Sequence, residues 1–177
     1  MSDYKIIFTG PVGAGKSTAI AALSDVPPIS TDENASDMTT TRKAGTTVAM
    51  DYGLLKLETG ERIHLYGTPG QERFDFMWEI LTAGGLGLVL LVDNSRPNPF
   101  NDLHFFMEAF RAFIAERGVV IGVTRSDLGG PRLDAYYQEL TRYEMNPAVF
   151  EVDARERDDV RLLVQALLYT LDPDLGA

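Results

Sequence analysis

The sequence predicts one α/β domain with three layers, α/β/α, around a mostly parallel sheet that carries one antiparallel hairpin strand. Three observations predict it. Short apolar runs rich in β-branched residues recur around Ile6-Ile7-Phe8 and at residues 86–92, 119–123 and 149–152, without polar alternation. Strands buried on both faces of a parallel sheet read this way. Helical patterns fall between the runs, as connections between parallel strands require. One stretch breaks the rhythm: residues 48–57 and 62–66 read as two strands turning at Thr59-Gly60, a hairpin signal.

In chain order, a strand over residues 4–9 is followed by a glycine-rich turn and a helix from Ser17. The polar segment 30–45 has no periodicity and is long for a structureless loop, which marks it as functional or mobile. The hairpin comes next. Helical spacing then places Phe106, Phe110, Phe113 and Ile114 on one helix that starts near Asn98-Pro99. Val160, Leu163, Val164, Leu167, Leu168 and Leu171 make the apolar face of a last helix. No repeat or linker interrupts the 177 residues, so the chain is expected to be a single domain, 1–177.

Composition narrows the function. Hydrophobic residues make up 45% and charged residues 24%, as in ordinary globular proteins. Sixteen basic residues against 26 acidic ones give a net charge of −10. Such a chain has no general field for nucleic acid or anionic lipid, so any phosphate affinity must be local. There is no cysteine, which excludes disulfides, thiolate metal sites, thiol nucleophiles and prenylation. The two histidines, His64 and His104, are far apart, and ordinary structural roles are expected for both. The N-terminus does not read as a signal peptide. The longest apolar run, residues 83–92, contains three glycines and is too short to span a bilayer. A cytoplasmic location with no membrane insertion is the expectation.

The local phosphate site is Gly10-Pro11-Val12-Gly13-Ala14-Gly15-Lys16-Ser17, which fits G-x-x-x-x-G-K-[ST] between a strand and a helix. Glycines let the backbone turn so that successive N–H groups face phosphates, and the helix adds its positive end. Lys16 supplies charge to the β- and γ-phosphates, Ser17 a hydroxyl for Mg²⁺, and Thr18 follows in the same turn. The loop alone does not choose between kinases, ATPases and GTPases.

Thr124-Arg125-Ser126-Asp127, after a strand, resembles the [NT]-K-x-D element of Ras-superfamily GTPases. There a carboxylate accepts two hydrogen bonds from guanine N1–H and N2–H₂, a donor pair that adenine lacks. The resemblance makes Asp127 the reader and Arg125 the counterpart of lysine, its stem covering the base. Asp153-Ala154-Arg155 resembles the S-A-K loop that closes over the base; Asp153 could equally cap the last helix.

Residues 65–74, L-Y-G-T-P-G-Q-E-R-F, resemble the L-W-D-T-A-G-Q-E-R-F of Rab-type GTPases, and residues 47–53, T-V-A-M-D-Y-G, resemble their switch I element T-I-G-V-E-F-G. In family order over nearly the whole chain, these elements identify it as a Ras-superfamily small GTPase with a Ras-like G domain. The T-P-G-Q form of switch II is most similar to that of bacterial gliding-motility GTPases. In those, resemblance implies a roadblock-fold activating partner, with effectors reading switches I and II. By resemblance, Thr47 ligates Mg²⁺ and senses the γ-phosphate, Gly70 contacts that phosphate through its N–H, and Gln71 orients the attacking water. Lys16 stabilises the developing charge. Two departures stand out. Gly67 replaces the aspartate that holds an Mg²⁺-bound water, and Asp51 on the adjacent strand is its candidate substitute. Pro69 replaces alanine and pushes Thr68 towards an extended backbone.

The expected activity is slow hydrolysis of GTP to GDP and phosphate, dependent on a partner. Arg42 and Arg73 are the nearby arginines, and nothing selects one. The rival readings are a nucleotide-locked scaffold and an ATP-dependent P-loop enzyme. After Gln71, Phe74, Met77, Trp78 and Leu81 recur at one helix face, which leaves Phe76 and Ile80 on another side. That second side is either a wider buried face or a docking patch for a partner that reads the nucleotide state.

Overall fold

The computed structural model describes residues 2–30, 50–69, 75–172 and 174. Seven strands form one sheet in the order β2-β3-β4-β1-β5-β6-β7. These are β1 (Asp3–Thr9), β2 (Ile29–Ser30), β3 (Asp51–Lys56), β4 (Arg62–Gly67), β5 (Gly87–Asp93), β6 (Val119–Thr124) and β7 (Val149–Glu151). β3 is antiparallel to both β2 and β4, and the pairings β4-β1, β1-β5, β5-β6 and β6-β7 are parallel. The single reversed strand is the one the hairpin signal predicts, with Gly60 at positive φ in the turn.

The helices are α1 (Lys16–Leu23), α2 (Asp75–Thr82), α3 (Pro99–Ala109), α4 (Arg111–Arg117), α5 (Leu133–Leu140) and α6 (Arg157–Leu171). Side chains alternate across the sheet, so each strand feeds two cores. Ile6, Phe8, Leu65, Val89 and Leu91 pack against α1 and α6 through Ile20, Leu23, Leu163 and Leu167. Ile7, Leu88, Leu90 and Val92 pack against Trp78, Leu103, Phe106, Ile114 and Tyr136 of α2–α5. These are the two outer layers of the α/β/α sandwich. Among the described residues, no helix is long and apolar enough to cross a membrane.

Among the elements that differ from the sequence reading, two are informative. The helix expected from Asn98-Pro99 through Ile114 is two helices. Asn98 does cap α3, its side chain accepting from Asn101 N–H, but the path breaks at Phe110 (φ −102°, ψ 16°). Phe110 is buried there with its ring stacked 5.0 Å from that of Trp78. The break coincides with this tertiary contact, in a stretch with no Gly or Pro. The second is α5, which the periodicity missed because only Tyr136 and Leu140 of its eight residues are buried. Of the predicted stripe after Gln71, Trp78 and Leu81 are buried and Met77 is half-buried.

Candidate functional site

The carboxyl ends of the parallel strands gather the predicted site on one edge of the sheet, the usual place for ligands in such folds. The turn from β1 to α1 holds Gly10, Val12, Gly13, Ala14, Gly15 and Lys16. Gly10, Gly13 and Gly15 all have positive φ, the backbone freedom a phosphate-cradling turn needs. Gly15 has a second constraint: a Cβ there would stand 2.9 Å from the Cβ of Ala154. The phosphate loop therefore touches the third base element directly. Lys16 Nζ donates to the carbonyls of Gly10 and Pro11, 2.7 Å each.

The base elements close over this loop. Thr124 Oγ1 donates to Ala14 O at 2.9 Å. Arg125 Nη1 donates to Gly13 O at 2.6 Å, a contact within reach of the guanidinium that replaces lysine. A cavity of about 670 Å³ lies between Ala14, Gly15 and Thr18 on one side and residues 124–128 and 151–155 on the other, with Asp127 on its wall. That volume suits a nucleoside-sized ligand. Ser126 Oγ, also in the wall, is buried without a hydrogen-bond partner among the described residues.

Asp153 does not cap α6; Glu156 occupies that position. Instead the Asp153 carboxylate accepts from the Arg155 backbone N–H and guanidinium. Those bonds, the side-chain one foremost, lower its pKa to about 2. Its own N–H donates to Asp159 Oδ2 at 2.8 Å. The loop is thus pinned by its own ion pair and by α6, which places Ala154 against Gly15.

Beside the phosphate loop, Ser17 Oγ donates to Asp51 Oδ2 at 2.6 Å. Asp51 is 8% exposed, and its Oδ1 is buried with no partner among the described residues. Asp51 faces Gly67 across the β3-β4 ladder. A Cβ on Gly67 would lie 3.1 Å from both Cβ and Oδ2 of Asp51. The side chain that Gly67 lacks and the carboxylate of Asp51 occupy adjoining space.

The residues that follow β4 are tied down. Thr68 N–H donates to Phe8 O, and the Thr68 and Thr9 hydroxyls lie 2.7 Å apart. Trp78 Nε1 donates to Pro69 O at 3.1 Å. Ile80 is 64% exposed. Thr47, Gly70, Gln71, Arg42, Arg73 and Phe74, with the Phe76 side chain, lie outside the described residues. His64 and His104 have ordinary partners: His64 Nδ1 meets Tyr52 OH, and His104 meets Tyr143 and Glu139.

Sequence reasoning missed Asp93 and Asn94. Both are buried polar residues at the carboxyl end of β5, and both bond to the base loop. Their signal was available: two polar residues that close an apolar run, in a fold whose ligands sit at strand carboxyl ends.

The chain resembles known proteins along its length. It is 24% identical to the Ras-related protein RabC of Dictyostelium discoideum over 176 residues, 96% of this chain and 84% of that one. It is 26% identical to the Ras-related protein RABA6b of Arabidopsis thaliana over 133 residues, 73% of this chain and 53% of the relative. It is 31% identical to an uncharacterized protein of Methanocaldococcus jannaschii over 94 residues, 53% of either chain. The crystal structure of the bacterial selenocysteine-specific elongation factor EF-Sec superposes with a TM-score of 0.66 at 19% identity, covering 96% of this chain and 29% of that one. The fold is therefore the P-loop GTPase fold. A family model described as "conserved hypothetical ATP binding protein" matches residues 26–172, downstream of the phosphate loop. That match spans most of the chain, and the protein belongs to this nucleotide-binding family, on a Ras-like P-loop framework.

Proposed function

We propose that the protein is a small GTPase switch that binds GTP and GDP with Mg²⁺ and hydrolyses GTP, slowly without an activating partner. The observation that carries this reading is Asp127 on the wall of the cavity that Thr124, Arg125 and Ala154 close over the phosphate loop. A carboxylate there satisfies the paired N1–H and N2–H₂ donors of guanine. Against adenine it stays unpaired, and an unpaired polar group in a ligand site discriminates strongly.

The residues beside the loop fit Mg²⁺. Ser17 offers a hydroxyl, and Asp51 offers a buried carboxylate with one oxygen unpartnered, suited to a metal-bound water. Held by Ser17 and Asp51, Mg²⁺ would supply positive charge against the nucleotide's phosphates. Lys16, drawn from the Gly10 and Pro11 carbonyls onto the phosphates, adds its own charge. Water attacks the γ-phosphorus, the bond to the β–γ bridging oxygen breaks, and GDP leaves with that oxygen while the water's proton passes to the released phosphate. Gln71 orients the water and Thr47 senses the γ-phosphate, roles carried over from the resemblance. The resemblance implies a roadblock-type activator and effectors docking at switches I and II as partners, and the exposed apolar side chain of Ile80 supports a docking surface there.

A second reading, ATP binding, rests on the description of the family. Calorimetric titration of GDP and ADP into the purified protein separates the two. Guanine binding predicts GDP tighter by orders of magnitude, with that preference abolished in Asp127→Ala. Equal affinities in the wild type would overturn the guanine reading.

A further inference from the structure

β5 is buried along its whole length and ends in charge: Asp93 is 6% exposed and Asn94, next to it, 3%. A carboxylate so deep needs partners, and Asp93 has three bonds. Its Oδ1 accepts from Ser95 N–H at 2.9 Å and from Ser95 Oγ at 2.6 Å. Its Oδ2 accepts from Arg125 Nη1 at 2.5 Å. Burial alone would raise its pKa, but the Ser95 bonds and the Arg125 charge outweigh that and hold it below the usual carboxylate value. Asp93 is an anion at neutral pH.

The same Arg125 nitrogen donates to Gly13 O of the phosphate loop. One guanidinium thus joins the end of β5, the base loop and the phosphate loop. Arg125 reaches this position from the left-handed region, at φ 57° and ψ 33°. Among the described residues it is the only non-glycine at positive φ, a conformation that persists when surroundings over-determine it. Asn94 secures the other end of the loop. Its Nδ2 donates to Gly129 O at 2.9 Å and to Pro131 O at 3.0 Å, and its Oδ1 accepts from the buried Tyr136 hydroxyl at 2.7 Å. Asp127 lies between the two fastenings.

We propose that Asp93 is a positioning residue for nucleotide binding: it holds Arg125 on Gly13 and so presents Asp127 to the base. This rests on the reading of Asp127 as the guanine reader. The bland alternative is an Asp93 that only shapes the turn at Ser95. In that role it would not depend on Arg125.

The test is a double-mutant cycle on GDP affinity, measured by calorimetry with Mg²⁺ present. Asp93→Asn keeps an acceptor for Ser95 and removes the charge that faces Arg125. Arg125→Ala and Asp93→Asn are each expected to raise the Kd about tenfold, and the double variant to bind no worse than Arg125→Ala alone, because contacting residues are non-additive. Arg125→Lys, which keeps a cation on a shorter stem, should recover part of the affinity lost in Arg125→Ala while Asp93 is intact and lose that recovery with Asp93→Asn. A double variant weakened by the product of the single factors would overturn the proposal. So would an unchanged Kd in Arg125→Ala, a result that does not require the Asp93 variant to fold. A wild type that does not prefer GDP to ADP would instead sink the guanine reading itself.

Discussion

At the scale of single residues, the informative pair is Asp51 and Gly67. They face each other across two antiparallel strands, so a carboxylate missing from one can be supplied by the other without moving the backbone. Two outcomes follow. Asp51→Asn should leave nucleotide binding in the presence of a chelator nearly unchanged and shrink the gain on adding Mg²⁺. An undiminished gain would remove Asp51 from the metal site. Gly67→Asp combined with Asp51→Ala should restore part of that gain. Gly67→Ala should lower stability by about 1–3 kcal/mol, the usual range for overpacking, since its Cβ meets Asp51 and Ile20 at 3.1 Å. A thermal melt checks it. What was legible at this scale was what lies contiguous in sequence. The phosphate loop needs only its spacing and its flanking strand and helix. Asp51 was a candidate from the empty place at Gly67, but its bond to Ser17 depends on strand register and on α1. Asp93 was legible only as a polar end to an apolar run, because its partner Arg125 lies 32 positions on.

Elements come next. α5 contributes one decisive atom, the Tyr136 hydroxyl, which donates to Asn94 Oδ1 at 2.7 Å in a buried setting. Burial pushes that phenol's pKa well up, so it stays a donor throughout the physiological range. Tyr136→Phe keeps the ring and orphans the Asn94 oxygen, at a cost of about 1–3 kcal/mol. The same variant should speed GDP dissociation, because Asn94 fastens residues 129–131 after the base loop. Stability loss with an unchanged dissociation rate would confine Tyr136 to the core. Helical periodicity reads continuous apolar faces well, as α6 shows, and reads poorly an element that buries two side chains. It also ran α3 and α4 together, because nothing local marks Phe110 as a break; the residue there stacks on Trp78, far off in sequence.

For the whole molecule, the sheet order places β1 at the centre, between β4 and β5. The phosphate loop therefore sits between the side of the sheet that carries Asp51 and the loops that carry Asp127 and Ala154. GDP with Mg²⁺ at 100 times its Kd should stabilise the fold by about 2.7 kcal/mol, with ADP at the same concentration giving little. Equal shifts in a thermal melt would favour the ATP reading. Acid should act through carboxylates that the fold keeps ionised. Asp25, bonded by Lys56 N–H and Arg157, and Asp93 both titrate below their ordinary value. A depressed folded pKa stabilises above the unfolded value, about 3.9, and that stabilisation is lost as pH falls through the folded one. Stability should therefore hold from neutrality to about pH 5 and fall below about pH 4. A fall already complete at pH 6 would point to other groups.

Trp78 is the chain's single tryptophan, and its indole N–H holds the carbonyl of Pro69, one residue before Gly70. An indole's emission depends on its hydrogen bonding and on the polarity around it. The protein thus carries its own optical reporter on the Pro69 carbonyl, with no second indole to dilute the signal. Exchange of GDP for a non-hydrolysable GTP analogue should shift or quench that emission. Single-turnover hydrolysis of GTP should then return it along the time course of phosphate release, and Gln71→Leu should hold it in the GTP-bound state. Superimposable spectra with the two nucleotides would mean that the Pro69 carbonyl keeps its place through the cycle.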